Sequence, residues 1–506
     1  MLQQIRLVPL ITMVMLTACQ AAGIDQSDLS LPQPQDGAIR IGPEDDFNAI
    51  VAAAPAGTRF LLAPGNYRGW SVTVRDRQSF EAEGPGVVLD GSIIVTGWTK
   101  DGSYWIAEIP PAQWNHGQVR EGSLARLRED LFIDEALITP VGSLAELGPG
   151  KWYRDGTNAY LAEDPSGRLV ELGYVDSAFA GEAEGVVIKG ITVRQYAPAA
   201  QHGAIEAHAG RNWQLIDVVA EYNHSRGLSM GPGMLVRGGS YSHNGQLGIG
   251  GGAHDVTIEN TEIGYNNYAG YQNWWEAGGL KITKSDNLVL RGSYVHHNDG
   301  PGVWLDWDNR FALIEDNLIF ENWTIGLQYE ASRQGTVRDN IIARNNQSKR
   351  DSWFWGAELL LQNSGDIEVT GNTIVVQYNA GIGVTQQDRR SGDYGEHLAT
   401  NNRITDNTII HLTAQGGSGA DGDHKVAELL STTLFDGNRY IIPAGSEKRA
   451  YWARKEILDW DGIRATGWEK NGRLTAVPDP SAHEPDYEAW RRNHLGTASS
   501  DAAPKQ

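Results

Sequence analysis

Two short hydrophobic patterns alternate along residues 185–413. One is an apolar segment that runs into Gly or Asn, as in residues 187–190, and the other begins at a glycine, as in residues 302–305. Successive starts of the second pattern are 21, 31, 23 and 24 residues apart, at Gly227, Gly248, Gly279, Gly302 and Gly326. A coil of roughly 21–24 residues with occasional loop insertions is typical of a β-helix rather than of a helical repeat or a propeller. The spacing therefore predicts an all-β solenoid, a parallel β-helix.

Asparagine recurs shortly before these glycine turns, at Asn244, Asn266, Asn298, Asn322 and Asn345. Asparagine tolerates the left-handed backbone conformation and hydrogen-bonds its own backbone, so it suits tight corners. Stacked asparagines also form ladders of side-chain hydrogen bonds. A β-sandwich, the alternative all-β architecture, does not require such regular spacing, so the pattern favours the solenoid.

The rest of the chain divides by its local patterns. Residues 45–54 predict a short amphipathic helix that caps the first coil and ends before Pro55. Short strand-like runs between turn signals predict a small antiparallel β insertion. We expect a signal peptide at 1–19, a tether at 20–36, an N-terminal cap with first coils at 37–120, the insertion at 121–184, main coils at 185–413, last coils with a C-terminal cap at 414–477, and a flexible tail at 478–506.

Residues 1–19 read as a secretory signal peptide, with Arg6 followed by an apolar run. Its end, Leu16-Thr17-Ala18-Cys19, resembles the bacterial lipobox, which implies that Cys19 is lipidated; the alternative is an ordinary signal peptide with an incidental cysteine. Cys19 is the only cysteine, so an intrachain disulfide is impossible. Gln20 follows the cysteine and favours the outer membrane. We expect an exported protein that touches the membrane only through its N-terminal lipid.

The net charge of −21 excludes nucleic acid as a partner, because nucleic-acid binding requires a basic face. The same charge gives a polyanion no long-range attraction and tilts the expectation towards a neutral glycan, although a local basic site remains compatible with it. There are 17 Trp and 18 Tyr but only 9 Phe. Aromatic residues with a polar handle suit sugar-binding surfaces. We expect a monomer with a carbohydrate partner and no cofactor. We also expect no metal, since His243 and His254 lack acidic residues at ligand spacing.

Aligning the coils on their glycines predicts two outward columns on one sheet face, because alternate strand residues point to opposite faces. Lys281, Trp304 and Gln328 share one column. Asp306 and Glu330 share the next, with Gln362 after Glu330. Two carboxyl groups on adjacent coils repel each other and raise one of their pKa values. That arrangement suits one ionised nucleophile and one protonated general acid.

The distance between the two carboxyl groups separates two mechanisms of glycoside hydrolysis. Retaining enzymes place them about 5–5.5 Å apart, close to the roughly 4.8 Å between neighbouring strands, which fits Asp306 with Glu330. Inverting enzymes need about 6.5–9.5 Å, which Asp308 with Glu330 offers. Lys281 is expected to be a salt-bridge partner of these acids or, alternatively, a base. Solvated surface positions are the plainer interpretation of all these charged residues.

Aromatic loops flank the carboxylate pair and predict the walls of a cleft. One insertion, residues 265–276, precedes the Lys281 strand, and another, residues 350–355, precedes the Gln362 strand. The predicted substrate-binding residues are Trp304, Trp307, Gln328, Trp274, Trp275, Glu276, Tyr271, Trp353, Trp355 and Gln362.

Residues 298–306, residues 325–332 and the repeated Ile-x-x-Asn strands resemble the pectate-lyase-like superfamily of carbohydrate-active proteins. The resemblance spans about 40–475 and implies a right-handed parallel β-helix. An acidic residue on one coil and a Glu on the next is similar to the retaining β-helix glycosidases of the β-xylosidase kind, which implies Asp306 as nucleophile and Glu330 as acid/base. The Asn-Gly-x-Glu signature of the alginate lyases has no clear counterpart in the sequence.

Three functions remain open from the sequence. The first is a glycoside hydrolase that uses the two carboxylates, with a retaining mechanism. The second is a polysaccharide lyase or epimerase that acts on a uronate polymer with Lys281 as base. The third is a non-catalytic glycan-binding surface lipoprotein.

Overall fold

The computed structural model describes residues 37–350, 354–449, 452–454 and 456–496. Within this part of the chain, successive coils each contribute one short strand to each of three long sheets. The described strands pair in parallel with the coil before and the coil after, except for an antiparallel pair at the end of the third sheet. The predicted all-β parallel β-helix is confirmed.

We call the three sheets A, B and C, each with 13 strands in the described residues. Sheet A contains Ile39–Ile41, Arg59–Leu62, Ser79–Ala82, Val187–Lys189, Gln214–Ile216, Leu235–Arg237, Thr257–Glu259, Val289–Arg291, Leu313–Glu315, Arg333–Arg338, Gly365–Thr370, Arg403–Thr405 and Leu434–Asp436. Sheet B contains Gly65–Arg68, Val87–Asp90, Thr192–Arg194, Val219–Glu221, Ser240–Ser242, Glu262–Gly264, Tyr294–His296, Leu318–Phe320, Ile341–Ala343, Thr373–Val376, Thr408–His411, Arg439–Pro443 and Arg473–Val477. Sheet C contains Val72–Thr73, Phe179–Ala180, Gly203–Glu206, Arg226–Ser229, Leu247–Gly251, Gly278–Ile282, Val303–Asp306, Leu327–Glu330, Leu359–Gln362, Ala380–Gln386, Gly417–Gly422, Trp452–Arg454 and Glu456–Leu458.

The insertion is a separate, mainly antiparallel sheet of eight strands in the described residues. In spatial order they are Ser92–Ile94, Val170–Gly173, Leu131–Ile133, Ala136–Val141, Lys151–Asp155, Asn158–Leu161, Tyr104–Glu108 and Thr99–Asp101. The insertion therefore begins at Ser92, earlier than the predicted residue 121. Tyr104–Glu108 pairs with Asn158–Leu161 instead of joining a coil. Strand patterning does not reveal which partner a strand takes, so this boundary was invisible in the sequence.

The core of the solenoid is a stack of aliphatic rows that run from coil to coil. In sheet C, Leu280, Val303 and Leu327 are register partners, and all three are buried. The adjacent inward row contains Ile282, Leu305 and Tyr329, as the alternation predicted. Because the inward rows are apolar and in register, the side chains between them are held on the outer face of the sheet.

The predicted asparagine corner is a continuous ladder inside the molecule. Its five predicted members are all buried, and each side-chain amide donates to the side-chain carbonyl of the next at 2.8–3.1 Å: Asn244, Asn266, Asn298, Asn322 and Asn345. The ladder ends at Glu358, whose Oε2 accepts from the Asn345 side chain at 2.7 Å and from its backbone at 3.1 Å. Burial raises the pKa of Glu358 to about 8.

The described helices are few and short. The predicted N-terminal helix is Phe47–Ala53, capped by the Asp46 side chain, and Phe47 stacks on Trp70 with ring centroids 5.1 Å apart. The other described helices are Leu144–Glu146, Val426–Thr432, Trp460–Ala465, Pro480–His483 and Tyr487–Leu495. No helix in the described residues is long and apolar enough to cross a membrane.

The C-terminal segment differs from the flexible tail expected at 478–506. Its described part, to residue 496, carries the helix Tyr487–Leu495, and Trp490 packs against Tyr294 and Leu318 on the outside of sheet B. The Pro- and Ala-rich composition suggested disorder. Tyr487 and Trp490 are three residues apart and form an apolar stripe on the helix. Packing of this stripe against sheet B stabilises the helix. The predicted signal peptide and tether lie outside the described residues.

Candidate active site

The predicted carboxylate pair lies on the outer face of sheet C. Asp306 and Glu330 end neighbouring strands and are direct register partners, and Gln362 follows Glu330 on the next strand. Lys281 pairs with Trp304, two strand residues before the level of Asp306. The two predicted columns are therefore confirmed as geometry, and the pair stands about one strand spacing apart, roughly 4.8 Å.

The ammonium group of Lys281 contacts Asp306 and two further acceptors. Its Nζ lies 3.0 Å from Asp306 Oδ2 and 3.4 Å from Glu276 Oε1, and it donates to the Trp275 carbonyl at 2.6 Å. The ammonium also stands 3.7 Å from the centre of the Trp304 ring. Lys281 is 5% exposed, so these groups surround it and solvent screens them little. Lys281 is therefore held against Asp306 by contacts on several sides.

Glu330 is buried and receives hydrogen bonds on both carboxyl oxygens. Trp304 Nε1 and Gln328 Nε2 donate to Oε2 at 2.9 and 3.0 Å, and Arg389 Nη1 donates to Oε1 at 2.7 Å. Burial raises the pKa of Glu330, and the charge of Asp306 raises it further, while Arg389 and Trp304 partly oppose the shift. Burial and the neighbouring carboxylate thus favour the protonated form of Glu330.

A row of amides extends from Glu330 to the next coils. Gln328 Nε2 also donates to Gln362 Oε1 at 3.0 Å, and Gln362 Nε2 donates to Gln387 Oε1 at 2.9 Å. Gln328 and Gln362 are both buried. These predicted substrate-binding residues orient Glu330 through their hydrogen bonds.

The loop before the Lys281 strand forms the wall on the N-terminal side. Glu276 bridges Lys281 to Arg226, whose Nη2 lies 3.0 Å from Glu276 Oε2. Trp275 is half-buried beside His116 of the insertion, with ring centroids 6.1 Å apart. Trp274 is 61% exposed at the tip of this loop. The wall is therefore built jointly by the solenoid and its insertion.

Tyr271, a predicted substrate-binding residue, belongs to the packing of this wall. Its side chain is fully buried, and its hydroxyl donates to the Ala125 carbonyl and accepts from Asn115 Nδ2, both at 3.0 Å. The prediction that Tyr271 binds substrate is wrong, because the insertion covers its ring. The sequence could not show that a segment about 150 residues earlier in the chain would fold over the Tyr271 side chain.

The wall on the C-terminal side is a loop that we call the arginine loop, residues 387–397. Asp308 anchors it: Asp308 Oδ1 lies 2.9 Å from His397 Nε2, and Oδ2 accepts from the Asp393 backbone at 2.8 Å. Asp308 and His397 are both buried. Both carboxyl oxygens of Asp308 therefore face the arginine loop. The alternative prediction, an inverting mechanism with Asp308 and Glu330 as its two acids, is wrong for this reason.

The remaining predicted residues divide between the floor and the rim. Trp304 is buried beneath Lys281, where it supports the charged groups. Trp307 is half-buried on the rim and packs edge-on against His397, with ring centroids 4.6 Å apart. Trp355 is half-buried and packs on a cluster that covers Leu360. The predicted Trp353 and the predicted lipidation site Cys19 lie outside the described residues.

A cavity of about 200 Å³ opens further along sheet C, towards the N-terminal coils. Its lining includes His202 and Glu206, and the two side chains lie 3.3 Å apart. Glu206 is three strands away from the level of Lys281 in the register of the sheet. Beside this cavity, His116 Nε2 of the insertion lies 3.2 Å from Gln201 Oε1, next to His202 in the chain. The cavity is a neighbouring feature and holds none of the predicted catalytic side chains.

Comparison with known proteins agrees with this architecture. Residues 203–374 match the family model described as "Right handed beta helix region". The structure of the XylC complex with xylose aligns with a TM-score of 0.61 and 16% identity, over 85% of this chain and 82% of that one. The chain has the right-handed parallel β-helix fold.

Two further solved structures align less closely. A glycoside hydrolase aligns at a TM-score of 0.46 and 11% identity, over 76% of this chain and 96% of that one. A mannuronic acid specific polysaccharide family 6 lyase from human gut microbiota aligns at 0.44 and 11% identity, over 91% of this chain and 96% of that one. A search of curated proteins returns no match.

Sequence reasoning missed the residues that the right-handed β-helix receives from its loops. Arg389, Arg390 and His397 come from the arginine loop, and Arg226 reaches Glu276 from an upstream coil. The available signal was a long segment between the strands Ala380–Gln386 and Arg403–Thr405 that carries two adjacent arginines. Nothing in the repeat showed to which coil that segment would fold back.

Proposed function

We propose that the protein is a carbohydrate-active enzyme that hydrolyses glycosidic bonds with retention of configuration. The observation that carries the proposal is the register pairing of Asp306 with Glu330, with a buried cation on the first and a raised pKa on the second. The spacing of neighbouring strands is close to the about 5–5.5 Å that separates the carboxyl groups of retaining enzymes. Similarity in fold to XylC, solved with xylose, supports a sugar as ligand.

In the first step, ionised Asp306 attacks the anomeric carbon while Glu330 gives its proton to the leaving oxygen. The bond to the leaving oxygen breaks, and a glycosyl ester forms on Asp306. Lys281 holds Asp306 through their ion pair, and Trp304 supports Lys281 with its ring and Glu330 with its indole N–H. In the second step, Glu330 takes a proton from water, the water oxygen attacks the anomeric carbon, and Asp306 is released.

Arg389 must leave the Glu330 oxygen that carries the proton. Oε2 already accepts two hydrogen bonds from Trp304 and Gln328, so the proton belongs on Oε1. Arg389 Nη1 donates to this oxygen at 2.7 Å. We propose that the entering sugar displaces this guanidinium and thereby favours the protonated acid.

The test is a panel of aryl glycosides and polysaccharides assayed with the wild type, Asp306→Asn and Glu330→Gln. The control is Glu368→Gln, which removes an exposed carboxylate from sheet A. We expect cleavage by the wild type and the control, and loss of cleavage in both site variants. Retention is read from the anomer first formed, by NMR. Cleavage that persists in both site variants would exclude the carboxylate pair.

Lyase or epimerase chemistry with Lys281 as base has less support, because Lys281 Nζ is engaged by Asp306, Glu276 and the Trp275 carbonyl. An unsaturated product absorbing in the ultraviolet would favour the lyase. An uncleaved glycan that binds equally well to Asp306→Asn and Glu330→Gln would favour the non-catalytic binding protein.

We also propose that Cys19 is lipidated and that the lipid anchors the protein to the outer membrane. The proposal rests on the lipobox-like segment at 16–19 and on Gln20 after it. Membrane fractionation of the wild type and Cys19→Ala tests it. Equal distribution of the two proteins would exclude the anchor.

A further inference from the structure

Arg390 is an exposed cation that lies beside the carboxylate pair without an acidic partner in the described part of the chain. Its guanidinium stacks 4.3 Å from the centre of the Trp307 ring, and Trp307 directly follows Asp306. Other cations of this rim are neutralised: Arg389 binds Glu330, and Lys284 lies 2.8 Å from Asp393. Arg390 therefore presents unused donors at the edge of the site.

The fold fixes Arg390 in this position. His397 Nδ1 contacts the Arg390 carbonyl at 3.2 Å, and His397 Nε2 contacts Asp308 at 2.9 Å. Asp308 and His397 are buried, so this link ties the Arg390 backbone to the coil that carries Asp306. Gly392 passes so close that an added Cβ would stand 2.2 Å from Asp308 Oδ1. The loop is held at both the backbone and the Trp307 ring.

A guanidinium held in place with free donors recognises planar anions. Its donors form a rigid fork that matches the two oxygens of a carboxylate. Stacking on an aromatic ring limits the motion of the guanidinium, so less side-chain freedom is lost when an anion binds. Arg390 is thus a single unneutralised cation on the rim, although the chain carries a net charge of −21. A sugar with a carboxylate is thus better matched to this rim than a neutral sugar.

We infer that Arg390 binds the carboxylate of a uronic acid residue, so that the substrate is an acidic glycan. This inference rests on the proposed hydrolase function and names its substrate class. It replaces the neutral glycan expected from net charge, because net charge governs long-range attraction while the Arg390 contact is local. In the bound state the uronate sits between Arg390 and Asp306, with its carboxylate directed to the rim.

The experiment uses pairs of 4-nitrophenyl glycosides that differ only at C6, as hexoside or hexuronide, in the gluco, galacto and manno series and both anomers. They are assayed with the wild type, Arg390→Gln, Arg390→Lys and the control Arg338→Gln, which removes an exposed cation from sheet A. We expect kcat/KM for one hexuronide to exceed that for its hexoside by tenfold or more. Arg390→Gln should lower that hexuronide value about 10–100-fold, mainly through KM, and leave the hexoside within about twofold. Arg390→Lys should restore part of the loss.

The outcomes separate this inference from the proposed function. Hydrolysis that depends on Asp306 and Glu330 but shows no hexuronide preference, or a preference unchanged in Arg390→Gln, overturns the inference alone. If no glycoside is cleaved, the hydrolase proposal fails, and calorimetric binding of uronate oligosaccharides and their carboxyl-reduced forms decides the inference. Tighter binding of the acidic form that is lost in Arg390→Gln supports it. Equal binding of both forms, or binding of neither, overturns it.

Discussion

Two buried glutamates on adjacent coils, Glu330 and Glu358, show how differently one fold uses the same side chain. Burial raises the pKa of both carboxyl groups. Glu358 points inward and receives the last two donors of the asparagine ladder, so its partners are all fixed parts of the solenoid. Glu330 points outward, stands beside a second carboxylate, and has a partner, Arg389, on a loop.

The comparison teaches that a raised pKa alone does not identify an active site. The shift arises wherever a carboxyl group is removed from water. What distinguishes Glu330 is the register partner Asp306, the cation Lys281 on that partner, and its place on the outer face of sheet C. Glu358 is therefore a structural control for every experiment on Glu330.

The largest expected effect is on activity. Glu330→Gln should lower kcat about 10²–10⁴-fold, because general acid/base catalysis contributes about that much, while Glu358→Gln keeps near wild-type kcat. For substrates with an activated leaving group, the rate of the first step should fall less, because such a leaving group departs without protonation. Steady-state kinetics on both variants measures this difference. Equal losses in the two variants would mean that the structure of the coil, and not Glu330, limits the reaction.

The next effect is on stability. Glu358→Ala removes the acceptor of two buried Asn345 donors, which costs about 1–3 kcal/mol for an unsatisfied group, and leaves a cavity as well. Glu358→Gln keeps the accepting oxygen and should be close to wild type near pH 4.5, where the folded wild type holds Glu358 protonated. Denaturant unfolding compares the two. A Glu358→Ala protein as stable as Glu358→Gln would show that water replaces the carboxyl group in the ladder.

The third effect is the pH dependence of that stability. The pKa of Glu358 rises from its usual 4.5 to about 8 in the folded state. The stability from the protonated form is therefore complete below about pH 4.5 and is lost as pH rises through about 8. The advantage of Glu358→Gln over wild type should grow across this range and then level off. Unfolding curves at several pH values measure it, and a constant difference would place the ionised form in the native state throughout.

The smallest expected effect concerns Arg389. Its positive charge opposes the rise in the pKa of Glu330, so Arg389→Gln should move that pKa further upward. Because Glu330 acts as an acid, the basic limb of the kcat/KM profile should move to higher pH. The matched control is Arg338→Gln, which leaves the profile in place. A basic limb that stays fixed in Arg389→Gln would assign it to another group.

The sequence by itself determined the coil and the carboxylate pair. The glycine spacing set the coil length, and the strand alternation placed Leu305 inside and Asp306 outside. Since register in a parallel solenoid follows this local pattern, the pairing of Asp306 with Glu330 followed from residues only 24 positions apart. The asparagine ladder followed for the same reason.

Only the tertiary structure decided what surrounds the pair. Arg389 reaches Glu330 across 59 positions, and His397 reaches Asp308 across 89. Tyr271 was predicted to bind substrate, but the insertion covers it from more than 140 positions away. Such contacts depend on where a loop folds back onto the solenoid, and no periodic pattern encodes that choice. The local repeat therefore fixed the scaffold and the reacting groups, while long-range loop packing fixed their charges, their access to solvent and the cation that faces the ligand.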